Sequence, residues 1–92
     1  MKKIINGKTY NPDTATIVAR WDNGRILEGF SYVQETLYKT RKGDLFLLGE
    51  GGAATIYSKP LSDGWTAYGW DIIPMTPEAA HEWAERRGVT LD

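Results

Sequence analysis

The first candidate for a catalytic residue is the single histidine, His81, which lies four residues before Glu85. On one helix, the carboxylate could orient the imidazole as a general base. The same spacing also describes an exposed helical residue with an ordinary partner one turn away. The chain has no cysteine and neither an Asp-x-Asp nor a His-Glu-x-x-His pattern, so thiolate and metal chemistry have no candidates. We therefore expect a protein that is not an enzyme, with no catalytic residue, metal or cofactor.

A glycine-rich segment, Gly49-Glu50-Gly51-Gly52, is the second candidate, because loops of this composition can cradle phosphates. A phosphate-binding loop continues with Gly-Lys-Ser/Thr and opens a helix, and neither feature follows here. The alternative is a loop whose backbone needs positive φ or a close approach to a neighbour. We expect these glycines to end the strand that precedes them.

A basic cluster at the tip of a predicted hairpin is the third candidate. It consists of Tyr38, Lys39, Arg41 and Lys42. An aromatic ring beside three cations could stack on a base and neutralise phosphates. The same residues also describe a solvated turn with ordinary surface charge. Direct nucleic-acid binding is therefore our second hypothesis.

An aromatic cluster in a glycine-broken segment is the fourth candidate, and it is the one we favour. Trp65, Tyr68 and Trp70 are large amphipathic rings of the kind that dominate protein interfaces. Alternatively, they could close a core too small to close without them. Carboxylates near them could meet basic residues of a partner and speed encounter. The predicted partner-binding residues are Glu50, Asp63, Trp65, Tyr68, Trp70 and Asp71.

The length and net charge of the chain limit the classes of protein to which these candidate sites can belong. Ninety-two residues form a single small domain spanning residues 1–92, since two separate cores would need roughly 100 residues each. The formal net charge is −1, which does not by itself indicate a nucleic-acid binder. Residues 1–46 carry eight basic and five acidic side chains, whereas residues 47–92 carry three and seven. No run approaches eighteen apolar residues, and the polar start does not resemble a signal peptide, so we expect no membrane span or leader.

The elements that must position these candidates begin with a hairpin around Asn6-Gly7, a pair typical of type I′ turns. Asn11 and Pro12 then suit the start of a helical turn, and the β-branched stretch after it favours a strand ending at Trp21. The clearest strand signal lies between Phe30 and Leu48, interrupted by a turn at residues 41–44. Between Ala53 and Trp70 the pattern is weak. Ile56 and Tyr57 could begin a short strand there, and Lys59-Pro60 indicates a loop.

A short strand at residues 71–74 precedes the clearest helix signal of the chain, and Pro74 should close that strand or limit it to a sheet edge. Thr76 and Pro77 suit the N-cap and first helical position, and Gly88 ends the helix. Ala80, Trp83, Ala84 and Arg87 recur at helical spacing. The predicted fold is α+β, a curled antiparallel sheet of three to five strands with one C-terminal helix packed on a face.

Four motifs of this sequence resemble those of a known protein family, and the resemblance covers residues 3 to about 86. They are Lys8-x-Tyr10-x-Pro12-x-Thr14-Ala15, Glu35-Thr36-Leu37-Tyr38-Lys39-Thr40-x-x-Gly43, Phe46-Leu47-x-Gly49-x-Gly51-Gly52, and Ile73-Pro74-x-x-Pro77-x-x-Ala80-x-x-Trp83-Ala84-Glu85. The chain resembles a family of small proteins from phages and integrative elements. Small proteins of this origin often inhibit host defence, so the resemblance implies a candidate anti-CRISPR protein.

The resemblance implies a non-enzymatic inhibitor that acts in the cytoplasm of a bacterial host. Its partner would be a host protein complex such as a CRISPR-Cas effector, whose nucleic-acid or nuclease surface it would occlude. The family carries no catalytic assignment, and the segment from Trp65 to Trp70 lies outside the shared motifs. The role of that segment therefore depends on its residues alone.

Overall fold

The computed structural model describes residues 1–25 and 29–91, in which eight strands and one helix form. The elements in chain order are β1 (Lys3–Ile5), β2 (Lys8–Tyr10), a 3₁₀ turn (Pro12–Thr14), β3 (Thr16–Asp22), β4 (Val33–Lys39), β5 (Leu45–Gly51), β6 (Lys59–Pro60), β7 (Thr66–Ala67), β8 (Gly69–Met75) and α1 (Pro77–Arg87).

A four-stranded antiparallel sheet in the order β3-β4-β5-β8 forms the centre of the molecule. The helix α1 packs on one side of it, which we call the helix face, and the β1–β2 hairpin packs on the other side, the outer face. The predicted α+β fold, an antiparallel sheet with a C-terminal helix on one face, is confirmed. No helix among the described residues is long and apolar enough to span a bilayer.

Side-chain alternation along the strands separates two clusters of buried residues. On the helix face, Leu37 and Leu47 contact the buried stripe of α1, which contains the predicted Ala80, Trp83 and Ala84. On the outer face, a cluster under the β1–β2 hairpin consists of Tyr10, Phe46, Leu48 and Ile72. The sheet therefore buries both faces.

The predicted caps and turns form where the sequence places them. Asn6 and Gly7 have φ values of 52° and 78°, the positive φ that a type I′ hairpin requires. The Thr76 hydroxyl accepts a hydrogen bond from the Ala79 N–H at 3.1 Å, and Gly88 ends α1 in the left-handed conformation. Asn11 accepts from the Asp13 N–H at 2.9 Å, so it caps the 3₁₀ turn as predicted.

The predicted strand break at Gly49 is wrong, because β5 continues to Gly51. A Cβ on Gly49 would lie 2.1 Å from the Tyr57 ring, and one on Gly51 would lie 2.2 Å from the Thr55 hydroxyl. The glycines therefore make room for side chains that cross the sheet, which is the close approach that glycine permits.

The segment between β5 and β8 also differs from its predicted structure. Ile56 and Tyr57 form turns and not a strand. Lys59-Pro60, predicted as loop, pairs with Thr66–Ala67 in a two-residue ladder. The hairpin that results has its tip at residues 61–65, where the Leu61 N–H donates to the Trp65 carbonyl at 2.8 Å.

The two edges of the central sheet differ in their free backbone groups. Pro74 in β8 has no N–H, so it must occupy a position whose backbone N–H would point away from β5. Ile72 lies two residues earlier in the same strand, so its backbone N–H also points away from β5. The Ile72 N–H donates to the Asp71 carboxylate at 2.9 Å. The prediction that Pro74 confines its strand to a sheet edge is confirmed.

Candidate functional site

The outer face carries an exposed cluster at the end of the sheet where β5 ends and β8 begins. Glu50 and Trp70 are cross-strand partners in β5 and β8, and the Tyr68 hydroxyl donates a hydrogen bond to the Glu50 carboxylate. Tyr68 is 50% exposed and Trp70 is 40% exposed. We call Glu50, Tyr68 and Trp70 the outer-face cluster, which unites three of the predicted partner-binding residues.

The carboxylate and the phenol of the outer-face cluster hold each other in place. Desolvation and the hydrogen bond to Glu50 raise the pKa of Tyr68 above its ordinary value, so the phenol remains a donor at neutral pH. The hydrogen bond holds the Glu50 carboxylate beside two large rings. Such a combination suits a cationic side chain, which gains both a charge partner and an aromatic surface.

Trp65 and Asp63 lie at the tip of the β6–β7 hairpin. Trp65 is 72% exposed, and its backbone N–H donates to the Asp63 carboxylate at 3.1 Å. The base of the hairpin is fixed by the Thr66 hydroxyl, which donates to the Ala53 carbonyl at 2.6 Å. Within the described part of the chain, the aromatic pairs are Tyr10–Phe46 and Tyr38–Phe46, so Trp65 does not stack on Tyr68 or Trp70.

Asp71 lies apart from the other predicted partner-binding residues. It alternates with Trp70 along β8, so its side chain leaves the opposite side of the strand. Its carboxylate pairs with the Lys3 ammonium at 2.8 Å and accepts from the Ile72 N–H. The charge of Asp71 is therefore already matched within the chain.

Phe30 extends the exposed aromatic surface and has no distinguishing signal in the sequence. It is 76% exposed, and together with Tyr68 it lines a cleft of about 540 Å³ over Gly52 and Ala53. Tyr68 also borders a second open cleft of about 650 Å³ with Trp70. We call Phe30, Trp65, Tyr68 and Trp70 the aromatic end of the molecule.

The predicted basic cluster occupies the opposite end of the sheet, at the β4–β5 turn. Lys39, Arg41 and Lys42 are exposed, and none of them forms an ion pair with another described residue. The Tyr38 ring is not with them, because it stacks on Phe46 with centroids 5.2 Å apart. The structure thus places Arg41 and Lys42 along one cleft, whereas Lys39 alternates with Tyr38 in β4 and the Tyr38 ring packs on Phe46.

A shallow cleft of about 360 Å³ lies between the tips of the β1–β2 and β4–β5 hairpins. Lys8, Arg41 and Lys42 line it, together with threonines of both segments. Lys8 pairs with Asp44 at 3.1 Å, and this hydrogen bond raises the pKa of Lys8. Asp44 therefore matches the charge of Lys8, and Arg41 and Lys42 are the cations of this cleft without an ion pair among the described residues.

His81 and Glu85 are both exposed on α1. No hydrogen bond joins them to each other among residues 1–25 and 29–91. The same residues contain no group of three or more side chains placed to hold a metal ion. The geometry therefore does not show Glu85 orienting His81.

Glu35 is a buried carboxylate that is not among the candidates predicted from the sequence. It is 3% exposed and accepts three hydrogen bonds, from Trp83 Nε1 at 2.8 Å, Arg87 Nε at 2.9 Å and the Tyr57 hydroxyl at 2.5 Å. Arg87 also lies 3.8 Å above the Trp21 ring. We call Glu35, Tyr57, Trp83 and Arg87 the Glu35 network.

Hydrogen bonds set the electrostatics of the Glu35 network. Burial alone would raise the pKa of Glu35, but the hydrogen bonds from Arg87, Tyr57 and Trp83 outweigh it and lower that pKa. Burial and the hydrogen bond to Glu35 raise the pKa of Tyr57. Both carboxylate oxygens accept hydrogen bonds, and the side chain is buried under the residues that donate them. The network ties β4, residue 57 and α1 together.

No protein-family model, curated protein or solved structure matches the chain.

Proposed function

We propose that this chain is a non-enzymatic protein-binding inhibitor from a mobile genetic element, a candidate anti-CRISPR protein. It acts in the cytoplasm of a bacterial host and covers the nucleic-acid or nuclease surface of a CRISPR-Cas effector complex. The observation that supports binding is the aromatic end, where four large side chains are 40% to 76% exposed. Exposed rings of this kind are the usual energetic centre of protein interfaces.

The partner surface that fits the aromatic end is basic. Glu50 supplies a fixed carboxylate beside Tyr68 and Trp70, and Asp63 lies near Trp65 in the hairpin tip. Proteins that bind nucleic acids present lysines and arginines along the binding groove. An inhibitor with carboxylates among its aromatic rings competes for those cations and is attracted to them at long range.

A pull-down against CRISPR-Cas effector complexes of different subtypes tests the proposal, followed by a target-DNA binding assay with any complex that is captured. Trp70→Ala and Trp65→Ala should each weaken capture at least ~10-fold, as truncation of an interface aromatic residue does. Ile4→Ala removes a side chain that is also exposed but lies in β1, so it should not change capture.

Two results would contradict this function. One is the absence of association with every subtype tested. The other is capture that Trp65→Ala and Trp70→Ala leave unchanged, because the interface would then lie elsewhere. Loss through Trp70→Ala alone would assign binding to the outer-face cluster, and loss through Trp65→Ala alone would assign it to the hairpin tip.

Direct nucleic-acid binding by a small regulator is the second candidate function, and the basic cleft between the two hairpin tips favours it. Gel-shift titrations of the purified chain should then show affinity that falls steeply with salt, because phosphate contacts release counterions. Arg41→Glu should abolish the shift, whereas Arg86→Glu on α1 makes the same charge change elsewhere and should not. A lack of binding at low salt and ~10 µM protein would dismiss this candidate.

A further inference from the structure

We propose that the outer edge of β3 pairs with β3 of a second copy of this chain. The two strands run antiparallel about a twofold axis at Trp21 and join the central sheets of both copies. This inference concerns self-association and is independent of the proposed inhibitor function.

The two edges of the central sheet differ in what they offer to an added strand. At the β8 edge, Pro74 has no N–H and the Ile72 N–H is already bonded to Asp71, which leaves little for a new strand to pair with. At the β3 edge, no other strand of the described chain is hydrogen-bonded to β3 on the side away from β4. An added strand therefore has one suitable edge.

The backbone groups along β3 are oriented so that they can accept a partner strand. The Asn23 N–H donates to the Val33 carbonyl at 3.1 Å, so position 23 faces β4. By alternation Trp21 also faces β4, and Arg20 and Asp22 direct their N–H and C=O groups outward. Two outward residues can form the hydrogen-bonded pairs of an antiparallel ladder.

The charges along the β3 edge are self-complementary. Arg20 and Asp22 are exposed and alternate with Trp21, so both lie on the outer face. A twofold axis at Trp21 places Arg20 opposite Asp22 of the second copy and Asp22 opposite its Arg20. Axes at position 20 or 22 would place like charges opposite each other, which destabilises cross-strand pairs.

Local contacts leave both charges available for this pairing. Neither Arg20 nor Asp22 forms an ion pair within residues 1–25 and 29–91. One Asp22 carboxylate oxygen accepts from the Gly24 N–H at 2.8 Å, and the second is free of hydrogen bonds within those residues. On the helix face, the half-buried Trp21 would meet its copy at a non-hydrogen-bonded position, where side chains approach most closely.

The expected dimer is weak, because the straight part of the edge is short. The ladder between β3 and β4 shifts register between Ile17 and Ala19, and a bulge of this kind bends the strand and ends regular pairing. Pairing centred on Trp21 therefore involves about five residues and about four backbone hydrogen bonds per dimer. We expect dissociation in the micromolar range or weaker.

Sedimentation equilibrium over concentrations from ~1 µM to ~1 mM tests the proposal. The wild-type chain should approach twice its monomer mass of 10.3 kDa as concentration rises. Arg20→Glu and Asp22→Lys each place like charges opposite each other in the homodimer and should raise the dissociation constant at least ~10-fold. Arg86→Glu changes charge equally on α1 and should leave it unchanged, and circular dichroism shows that each variant is folded.

The decisive sample is an equimolar mixture of the Arg20→Glu and Asp22→Lys variants. In a mixed dimer of this register, the introduced glutamate faces the introduced lysine, and the remaining Asp22 faces the remaining Arg20. The mixture should therefore dimerise at least as tightly as wild type. A wild-type chain that stays monomeric throughout, dimerisation that neither variant weakens, or a mixture that stays monomeric would each overturn the proposal.

Discussion

Replacing Glu35 by Gln tests whether one buried charge holds the helix face together. The amide keeps the shape of the side chain and one acceptor oxygen, so Trp83 and Arg87 retain a neutral acceptor. It loses the negative charge, and its NH₂ group replaces the oxygen that accepts from Tyr57. The substitution therefore separates charge from volume.

The expected loss follows from the contacts. A hydrogen bond to a charged group contributes about 1.5–3 kcal/mol and a neutral one about 0.5–1.5 kcal/mol. The bonds from Trp83 and Arg87 lose their charge assistance, and the bond from Tyr57 loses its acceptor. However, the Arg87 side chain is 30% exposed, and water replaces part of what it loses. We expect Glu35→Gln to lower the free energy of unfolding by about 2–3 kcal/mol out of a total of about 5–10 kcal/mol.

Glu50→Gln is the matched control, because Glu50 also accepts a hydrogen bond from a tyrosine hydroxyl but lies at the surface. Its effect on the free energy of unfolding should stay within about 0.5 kcal/mol. Urea titrations at pH 7 followed by tryptophan fluorescence measure both variants.

The pH dependence provides an independent check. The pKa of Glu35 in the folded chain is lower than its ordinary value of 4.5, so its contribution to stability is complete above that value and is lost as pH falls through the folded-state pKa. The stability difference between wild type and Glu35→Gln should therefore be full at pH 7 and shrink at pH ~3. Equal effects of Glu35→Gln and Glu50→Gln at pH 7, or a difference that does not change with pH, would refute this account of the network.

Three further substitutions test other parts of the structure. Trp83→Ala should lower the free energy of unfolding by about 3–5 kcal/mol, because it empties a site that is 1% exposed, and a thermal melt measures the loss. Gly49→Ala should cost about 1–3 kcal/mol, because its Cβ would overlap the Tyr57 ring, and urea titration should show that Gly49→Ala loses less when combined with Tyr57→Ala. Thr76→Ala should cost about 1 kcal/mol through loss of the N-cap of α1, measured by the same titration.

For each of these substitutions, one result would contradict the structural interpretation behind the prediction. A Trp83→Ala variant that melts like the parent would place the helix elsewhere. Additive effects of Gly49→Ala and Tyr57→Ala would show that the two sites do not interact. Unchanged stability in Thr76→Ala, with Thr90→Ala as the exposed control, would mean that the hydroxyl does not cap α1.

The sequence predicts the elements whose geometry depends only on residues that are adjacent in the chain. The Asn6-Gly7 turn and the helix that begins at Pro77 both follow from local backbone preferences, and both form as expected. The continuation of β5 through Gly49 could not be predicted, because it depends on Tyr57, which approaches from eight residues away. Contacts of that kind override local propensity.

The Glu35 network left a partial signal in the sequence. Glu35 alternates in register with Leu37, which places a carboxylate on the side of β4 that faces the core. Trp83 and Arg87 recur four residues apart, so they share one face of α1. A buried carboxylate needs donors, and these two residues could have been proposed as its partners. Tyr57 could not, because its segment has no regular periodicity.

The position of Pro74 and the hydrogen bond between Ile72 and Asp71 limit how far this protein can polymerise. A fibre requires every subunit to offer two mutually compatible growth points, and a sheet with a single available edge offers one. Association through β3 would consume that edge in both molecules and terminate there. Growth through the central sheet would therefore stop at a discrete pair and would not continue as an open-ended stack of strands.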